Sequence, residues 1–309
     1  MKYKKKFQYN YLETYLKLHM DINQLKQQLW VDRTPLEVSG KQMEHGNAYI
    51  FFRGDDSFMI HQPLESIGGR WHFEKWFDFY RSRLDVRTNV TCILEPVSKL
   101  ENHDSITGTY LISSETLEAI EKATYNAFNS IMPSIKEIED NIRQYYFNKH
   151  YPDSDKVNKT FVTDDEVPLK IEPGTCLCSK NESGYIRLYK VKTMGKWQIG
   201  DVHAYNAEEY SIILGEDMCL AHMMNGRFMS LNTKELPEEC KDKVAFKQKE
   251  YVMPSSVYDD FEKRYIEAVK EIQDIRFALL QIALENHKEM YGEVANKSAE
   301  EHVYKYLRE

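Results

Sequence analysis

The sequence is poor in everything that marks a secreted or membrane-embedded chain. Five cysteines are spread over 309 residues. An odd, widely spaced set argues against a disulfide framework and for reduced thiols. No run approaches the roughly 18 apolar residues that a membrane helix needs, and the mean hydropathy is −0.62. Met1-Lys2-Tyr3-Lys4-Lys5-Lys6 is basic, but Phe7-Gln8-Tyr9-Asn10 follows where the apolar stretch of a leader would stand. These absences predict a cytoplasmic protein without membrane contact. An excess of basic charge is missing too: 41 Lys and Arg face 49 Asp and Glu, for a net charge of −8. Nucleic-acid binders concentrate cations to displace counterions from phosphate, so nucleic acid is not the expected partner.

Catalytic signatures are equally scarce. The chain has no GxxxxGK[ST] phosphate loop, no GxGxxG, no GxSxG and no HExxH. A non-enzymatic protein without a cofactor is therefore expected. The 42% hydrophobic and 13% aromatic content is ample for packed cores, which excludes global disorder.

The expected fold is α+β, with two mixed modules and prominent long helices. An N-terminal mixed module is expected over residues 1–112, a long helical segment over 113–150, a linker over 151–167, a β-rich module over 168–250 and a C-terminal long helix over 251–309. In the first module, Ala48-Tyr49-Ile50-Phe51-Phe52 and Ser57-Phe58-Met59-Ile60-His61 read as a hairpin about Arg53-Gly54-Asp55-Asp56. Phe73, Trp76, Phe77, Tyr80 and Leu84 keep helical spacing and predict an aromatic helix. Asn89 to Leu94 reads as a strand. Leu117, Ile120, Thr124, Ala127 and Ile131, resuming at Ile135, Ile138, Ile142 and Tyr145, form a long helical seam. Pro133 should kink or divide it. In the β-rich module, Tyr185–Val191 and Lys196–Ile199 flank Met194-Gly195 as a hairpin, and Asp217 to Asn225 reads as a short helix. No repeat of fixed period is visible in the residues.

The last element gives the clearest pattern. Ser256 with Asp259 resembles a capping box. Tyr258, Phe261, Tyr265, Ala268, Ile272, Ile275, Leu279 and Ile282 then recur at three-four spacing, and Asn286 continues the series. A polar residue in such a seam can fix register and partner number. The expected interface between copies is therefore Tyr258, Phe261, Tyr265, Ile272, Ile275, Leu279, Ile282 and Asn286.

Three constellations invite chemistry. Ser66-Ile67-Gly68-Gly69-Arg70, leading into the expected aromatic helix, could hold an anion on backbone N–H groups. Gly68, Gly69, Arg70, His72 and Lys75 are the candidates, against a plain tight connection. Cys176-Leu177-Cys178 with Cys219 and His222 offers zinc-ligand types, although a CxC strand more often buries both thiols. Asp153, Asp165 and Glu166 cluster near Lys170 as a nuclease would cluster carboxylates, although a Pro-flanked acidic stretch usually forms a solvated linker.

Together these features predict an oligomeric protein-binding or regulatory protein, an accessory or inhibitor of viral or mobile-element type, with itself and a protein as partners. Two modules on helical spacers are similar in layout to the specificity subunits of type I restriction enzymes, which makes DNA recognition the alternative. A metal-dependent hydrolase using the acidic or glycine-pair residues is the other.

Overall fold

A computed structural model describes residues 22–54, 57–67, 70–80, 83–92, 106–164, 171–181, 183–196, 203–229 and 250–292. The elements are α1 Ile22–Gln28, α2 Leu36–Ser39, β1 Ala48–Arg53, β2 Phe58–Ile67, β3 Arg70–Tyr80, β4 Arg83–Cys92, β5 Thr107–Ile112 and α3 Ser114–His150. There follow β6 Cys176–Lys180, β7 Ile186–Lys196, β8 His203–Ile213, β9 Met218–Met229, β10 Glu250–Met253 and α4 Ser255–Tyr291. The α+β class is as the sequence implies. No described helix is long and apolar enough to cross a membrane.

Contacts divide the chain into two units, residues 1–127 with 269–309 and residues 128–268. In the first, antiparallel strands run in the order β5-β1-β2-β3-β4. The β1–β2 hairpin forms where Arg53-Gly54 was expected to turn the chain. Gly54 takes φ 84°, a conformation costly for any residue with a Cβ, and Arg53 N–H donates to the Ser57 carbonyl at 3.1 Å. Ile50, Ile60, Phe77 and Val86 are cross-strand neighbours and all buried. Tyr110 extends that row on β5.

The second unit has the order β10-β6-β7-β8-β9. Its matching row is Tyr251, Cys178, Leu188, Tyr210 and His222. Tyr210 packs its ring against Tyr258, Phe261 and Tyr265 of α4, with centroids 6.0, 5.4 and 4.7 Å away. Rings at these separations contribute about 0.5–1.5 kcal/mol each beyond their buried area.

The chain is thus a structural duplication, although the residues show no fixed period. Each half reads four antiparallel strands, a fifth strand returning beside the first, then a helix of 37 residues. The correspondence reaches single residues. β2 and β3 pair irregularly about Pro63 without a net change of register, and β7 carries one extra residue, Lys192, against β8 at the equivalent height of its hairpin. The outer edge of each sheet is capped by a short preceding segment: Asp32 N–H donates to Leu111 O at 2.8 Å and Thr163 N–H to Val252 O at 3.0 Å. In the aligned helices Ser114, Glu121, Lys122, Ala127 and Ile131 coincide with Ser255, Glu262, Lys263, Ala268 and Ile272. The division between units falls after Ala127 and after Ala268, a corresponding pair. Register and burial are retained while residue identity is not, which hides the repeat from the sequence.

Several sequence expectations are corrected. The aromatic segment is strand β3, not a helix. Phe73, Phe77 and Phe79 are buried within the sheet, and aromatic residues at three-four spacing also suit a bulged strand. β7 runs straight through Met194-Gly195, so the turn expected there does not exist. Asp217–Asn225 belongs largely to β9, paired with β8. Pro133 does not divide α3, which is continuous across it. The proline is exposed, so water can serve the carbonyl that loses its N–H partner. α4 begins at Ser255, and Asp259 bonds Lys190 at 2.6 Å instead of closing a capping box at Ser256.

Candidate functional site

The side of the first sheet opposite the Ile50 row carries another one: Tyr49, His61, Trp76 and Arg87 lie side by side on β1 to β4. The pairing is irregular at Pro63↔Phe73, and Phe73 joins this group. The His61 ring meets Phe73 edge-on at 4.9 Å, lies over Trp76 at 5.7 Å and stacks on Tyr49 at 6.2 Å. Met43 Sδ sits 3.4 Å from His61 Nε2. The loop carrying Met43 is tied down where Glu44 N–H donates to Tyr49 Oη at 2.8 Å and Gln62 Nε2 donates to Gly46 O at 3.3 Å. His61 is 1% exposed. Burial among aromatic rings pushes its pKa down to about 4, so the imidazole is neutral at physiological pH.

Beyond Gln62 the sheet narrows. β1 starts at Ala48 and its pairing with β2 ends at Tyr49↔His61, whereas β2 runs on with β3 through Ile67↔Arg70. Gly46 N–H reaches Pro63 O at 3.4 Å. Past that contact Leu64–Ile67 has β3 on one side and, among the described residues, no strand on the other. All four residues are exposed, Leu64 by 46% and Ile67 by 59%. Unpaired backbone beside exposed aliphatic side chains is the template on which another strand can dock.

The expected anion site falls on this arm but is not assembled as expected. Arg70 opens a strand, not a helix, so no helix terminus lends it positive potential. His72 Nδ1 engages Thr91 Oγ1 at 2.8 Å. Lys75 is bound to Glu121 of α3 at 2.6 Å, and that hydrogen bond is the main cause of its raised pKa. Gly68 and Gly69 lie outside the described residues. Sequence reasoning named Ile67 only beside the glycine pair and gave Leu64, His61 and Trp76 no part in a site. The signal that could have found them is the Gly-Gly pair between two strand-like runs, which is a hairpin cue.

The second sheet holds an ionic and aromatic cluster. Glu208 accepts from His222 Nε2 at 3.0 Å and Lys192 Nζ at 2.5 Å. The His222 bond is the first cause drawing its pKa down to about 2. His222 stacks on Tyr210 at 4.3 Å and 5°, and Tyr210 Oη donates to Glu262 at 3.2 Å. The corresponding helix carboxylate in the first repeat is Glu121, which grips Lys75. Both carboxylates fasten a third strand to its helix.

Strand order separates the cysteine set. Cys176 and Cys178 sit on β6 while Cys219 and His222 sit on β9, with β7 and β8 between. Burial raises the pKa of the Cys176 thiol to about 11. Among the described residues no group of three or more His, Cys, Asp or Glu is placed to hold a metal ion. Asp153 lies in a turn after α3, and Asp165, Glu166 and Lys170 lie outside the described residues.

The expected oligomer seam is covered within the chain. Tyr258, Phe261, Tyr265, Ile272, Ile275, Leu279 and Asn286 are buried, and Ile282 is partly so. Asn286 Nδ2 donates to Val31 O at 3.3 Å and Asp32 O at 3.2 Å, which secures the segment preceding the first repeat. The chain matches no protein-family model, no curated protein and no solved structure.

Proposed function

We propose that the protein is a non-enzymatic binding protein of regulatory or inhibitory type, with the β2–β3 arm of the first repeat as its contact surface for other chains. The observation that supports this is the open Leu64–Ile67 edge. Both long helices bury apolar stripes inside the chain and both outer sheet edges are capped, whereas among the described residues no strand lies on the open side of Leu64–Ile67, where Leu64 and Ile67 are exposed. Strand addition uses main-chain hydrogen bonds for affinity and alternate side chains for specificity. The half-buried Trp71 and Trp76 beside the arm are residue types that often dominate interface energies.

Immobilised protein should capture a protein from an extract of its native host. The Leu64→Lys/Ile67→Lys variant should lose that capture while melting at the parent's temperature. Equal capture by both would refute the arm as the contact surface.

A further inference from the structure

His61 sits in a box where neither ring nitrogen has a good hydrogen-bond partner. Nδ1 has none, and Nε2 meets the Met43 thioether 3.4 Å away. A thioether is a weak acceptor, so the buried imidazole is poorly satisfied in either tautomer. Met59 lies two residues before His61 on β2. Strand alternation puts both on one face of the sheet, and both methionines are half-buried. One imidazole and two thioethers thus share one side of β2 beside the rings of Tyr49, Phe73 and Trp76. The acidic side chains bordering this group are engaged elsewhere. Glu44, next to Met43, accepts from Asn47 Nδ2 at 3.3 Å. Asp78, across from Met59 on β3, accepts from Arg53 at 3.0 Å.

We infer that His61, Met43 and Met59 form a binding site for a soft monovalent metal ion of the Cu(I) class. The ion sits between His61 Nε2 and Met43 Sδ. With zinc bond lengths as a guide, about 2.0–2.1 Å to nitrogen and about 2.3 Å to sulfur, the 3.4 Å gap is spanned at an angle of about 100°, close to tetrahedral. Met59 supplies a second sulfur from the same face. Thioether and imidazole donors suit Cu(I), whereas Mg²⁺ and Ca²⁺ need oxygen ligands and Zn²⁺ takes its sulfur from thiolate. All three donors are neutral, and a single charge costs less to bury among rings than a double one. Burial keeps the imidazole unprotonated down to about pH 4, so at neutral pH the ion expels no proton from an imidazolium. The site does not use the Leu64–Ile67 edge, so it and the contact surface stand or fall separately.

Titration of the full chain with Ag(I), a redox-inert ion of the same softness, tests the inference through isotope-labelled methionine methyl groups observed by NMR. Met43→Leu and Met59→Leu assign the two signals and, as volume-conserving changes at half-buried positions, keep the fold. The five cysteines take Ag(I) in every variant, so the site is read as a difference carried past those equivalents. In the parent, the Met43 and Met59 methyls should shift together over one further equivalent. His61→Phe should abolish that joint shift, and Met43→Leu should weaken the binding seen at Met59 by about tenfold or more. Zn²⁺ should leave both methyls in place. Methyls that ignore Ag(I), a His61→Phe variant that shifts like the parent, or an equal response to Zn²⁺ overturns the inference.

Discussion

Acidifying the protein from pH 7.5 to pH 5 should cost it about 2 kcal/mol of stability through His61 alone. The imidazole has an ordinary pKa of 6.5, and burial lowers it to about 4 in the folded chain. The rings around it and Met43 bring no carboxylate to stabilise the protonated form. The folded state therefore binds fewer protons than the unfolded state between those two values, and stability rises with pH there. The contribution is present above the unfolded value and is lost as pH falls toward the folded one. Linkage over the full window gives about 3 kcal/mol, of which about 2 kcal/mol is reached at pH 5. Below about pH 4 the folded imidazole also protonates, and the loss levels off.

Urea denaturation at pH 7.5, 6.5, 5.5 and 5.0 measures this directly, and His61→Phe isolates it. Phenylalanine keeps an aromatic ring in the box and removes the titrating group. It also removes the buried Nδ1, which has no hydrogen-bond partner and weighs against folding. The variant should match or exceed the parent at pH 5 and show a flatter stability profile over this range. A parent profile that is flat from pH 7.5 to 5, or a variant slope equal to the parent's, would refute the burial argument.

Three further outcomes follow from packing and charge. Glu208→Gln should destabilise by about 1 kcal/mol at pH 7 in denaturant titrations, after allowing for solvent screening of a half-buried carboxylate. Its folded pKa is depressed to about 2 from 4.5, so the Glu208 contribution is present above pH 4.5 and disappears as pH falls through 2. Ile272→Asp with Leu279→Asp should abolish folding by circular dichroism, because both side chains are buried inside the chain and would become unpaired buried charges; a folded variant would sink this account of α4. Pro133→Ala should stabilise by about 1–3 kcal/mol, since it restores a helix hydrogen bond at an exposed site, and a lowered melting temperature would contradict it.

What the sequence disclosed depended on whether one periodicity stood alone. The helices α3 and α4 were legible because Leu117–Ile142 and Tyr258–Leu279 hold a three-four stripe too long for strands. The β1–β2 hairpin was legible because Arg53-Gly54 separates two alternating runs. β3 was not, because Phe73, Trp76, Phe77 and Tyr80 satisfy helical spacing and a bulged alternation equally, and only pairing with β2 and β4 decides. The seam of α4 was correctly located, but its covering was assigned to a partner helix. Nothing in a single stripe distinguishes a neighbouring copy from a sheet of the same chain, and here Tyr210 supplies part of that covering. The anion reading leaned on the same helix: Arg70 instead opens a strand, and Lys75 is bound to Glu121.

The duplication separates what holds the fold from what distinguishes the repeats. Positions that fasten strand to helix remain acidic in both copies, as Glu121 and Glu262 do, although their partners differ. The buried row that contains Ile60 and Leu188 stays mainly apolar. The opposite row diverges: Trp76 corresponds to Glu209, His61 to Tyr189 and Met59 to Arg187. In the second repeat Glu209 is buried with Arg187 Nε at 3.4 Å, so that side is committed to an internal ion pair. In the first repeat the same row holds the rings of Tyr49, His61 and Trp76. A partner strand arriving at Leu64–Ile67 would meet an aliphatic side chain at Leu64, while one arriving at Lys192 would have to break its pair with Glu208. On the proposed reading, that difference at equivalent places would favour docking at the first repeat, with the scaffold common to both.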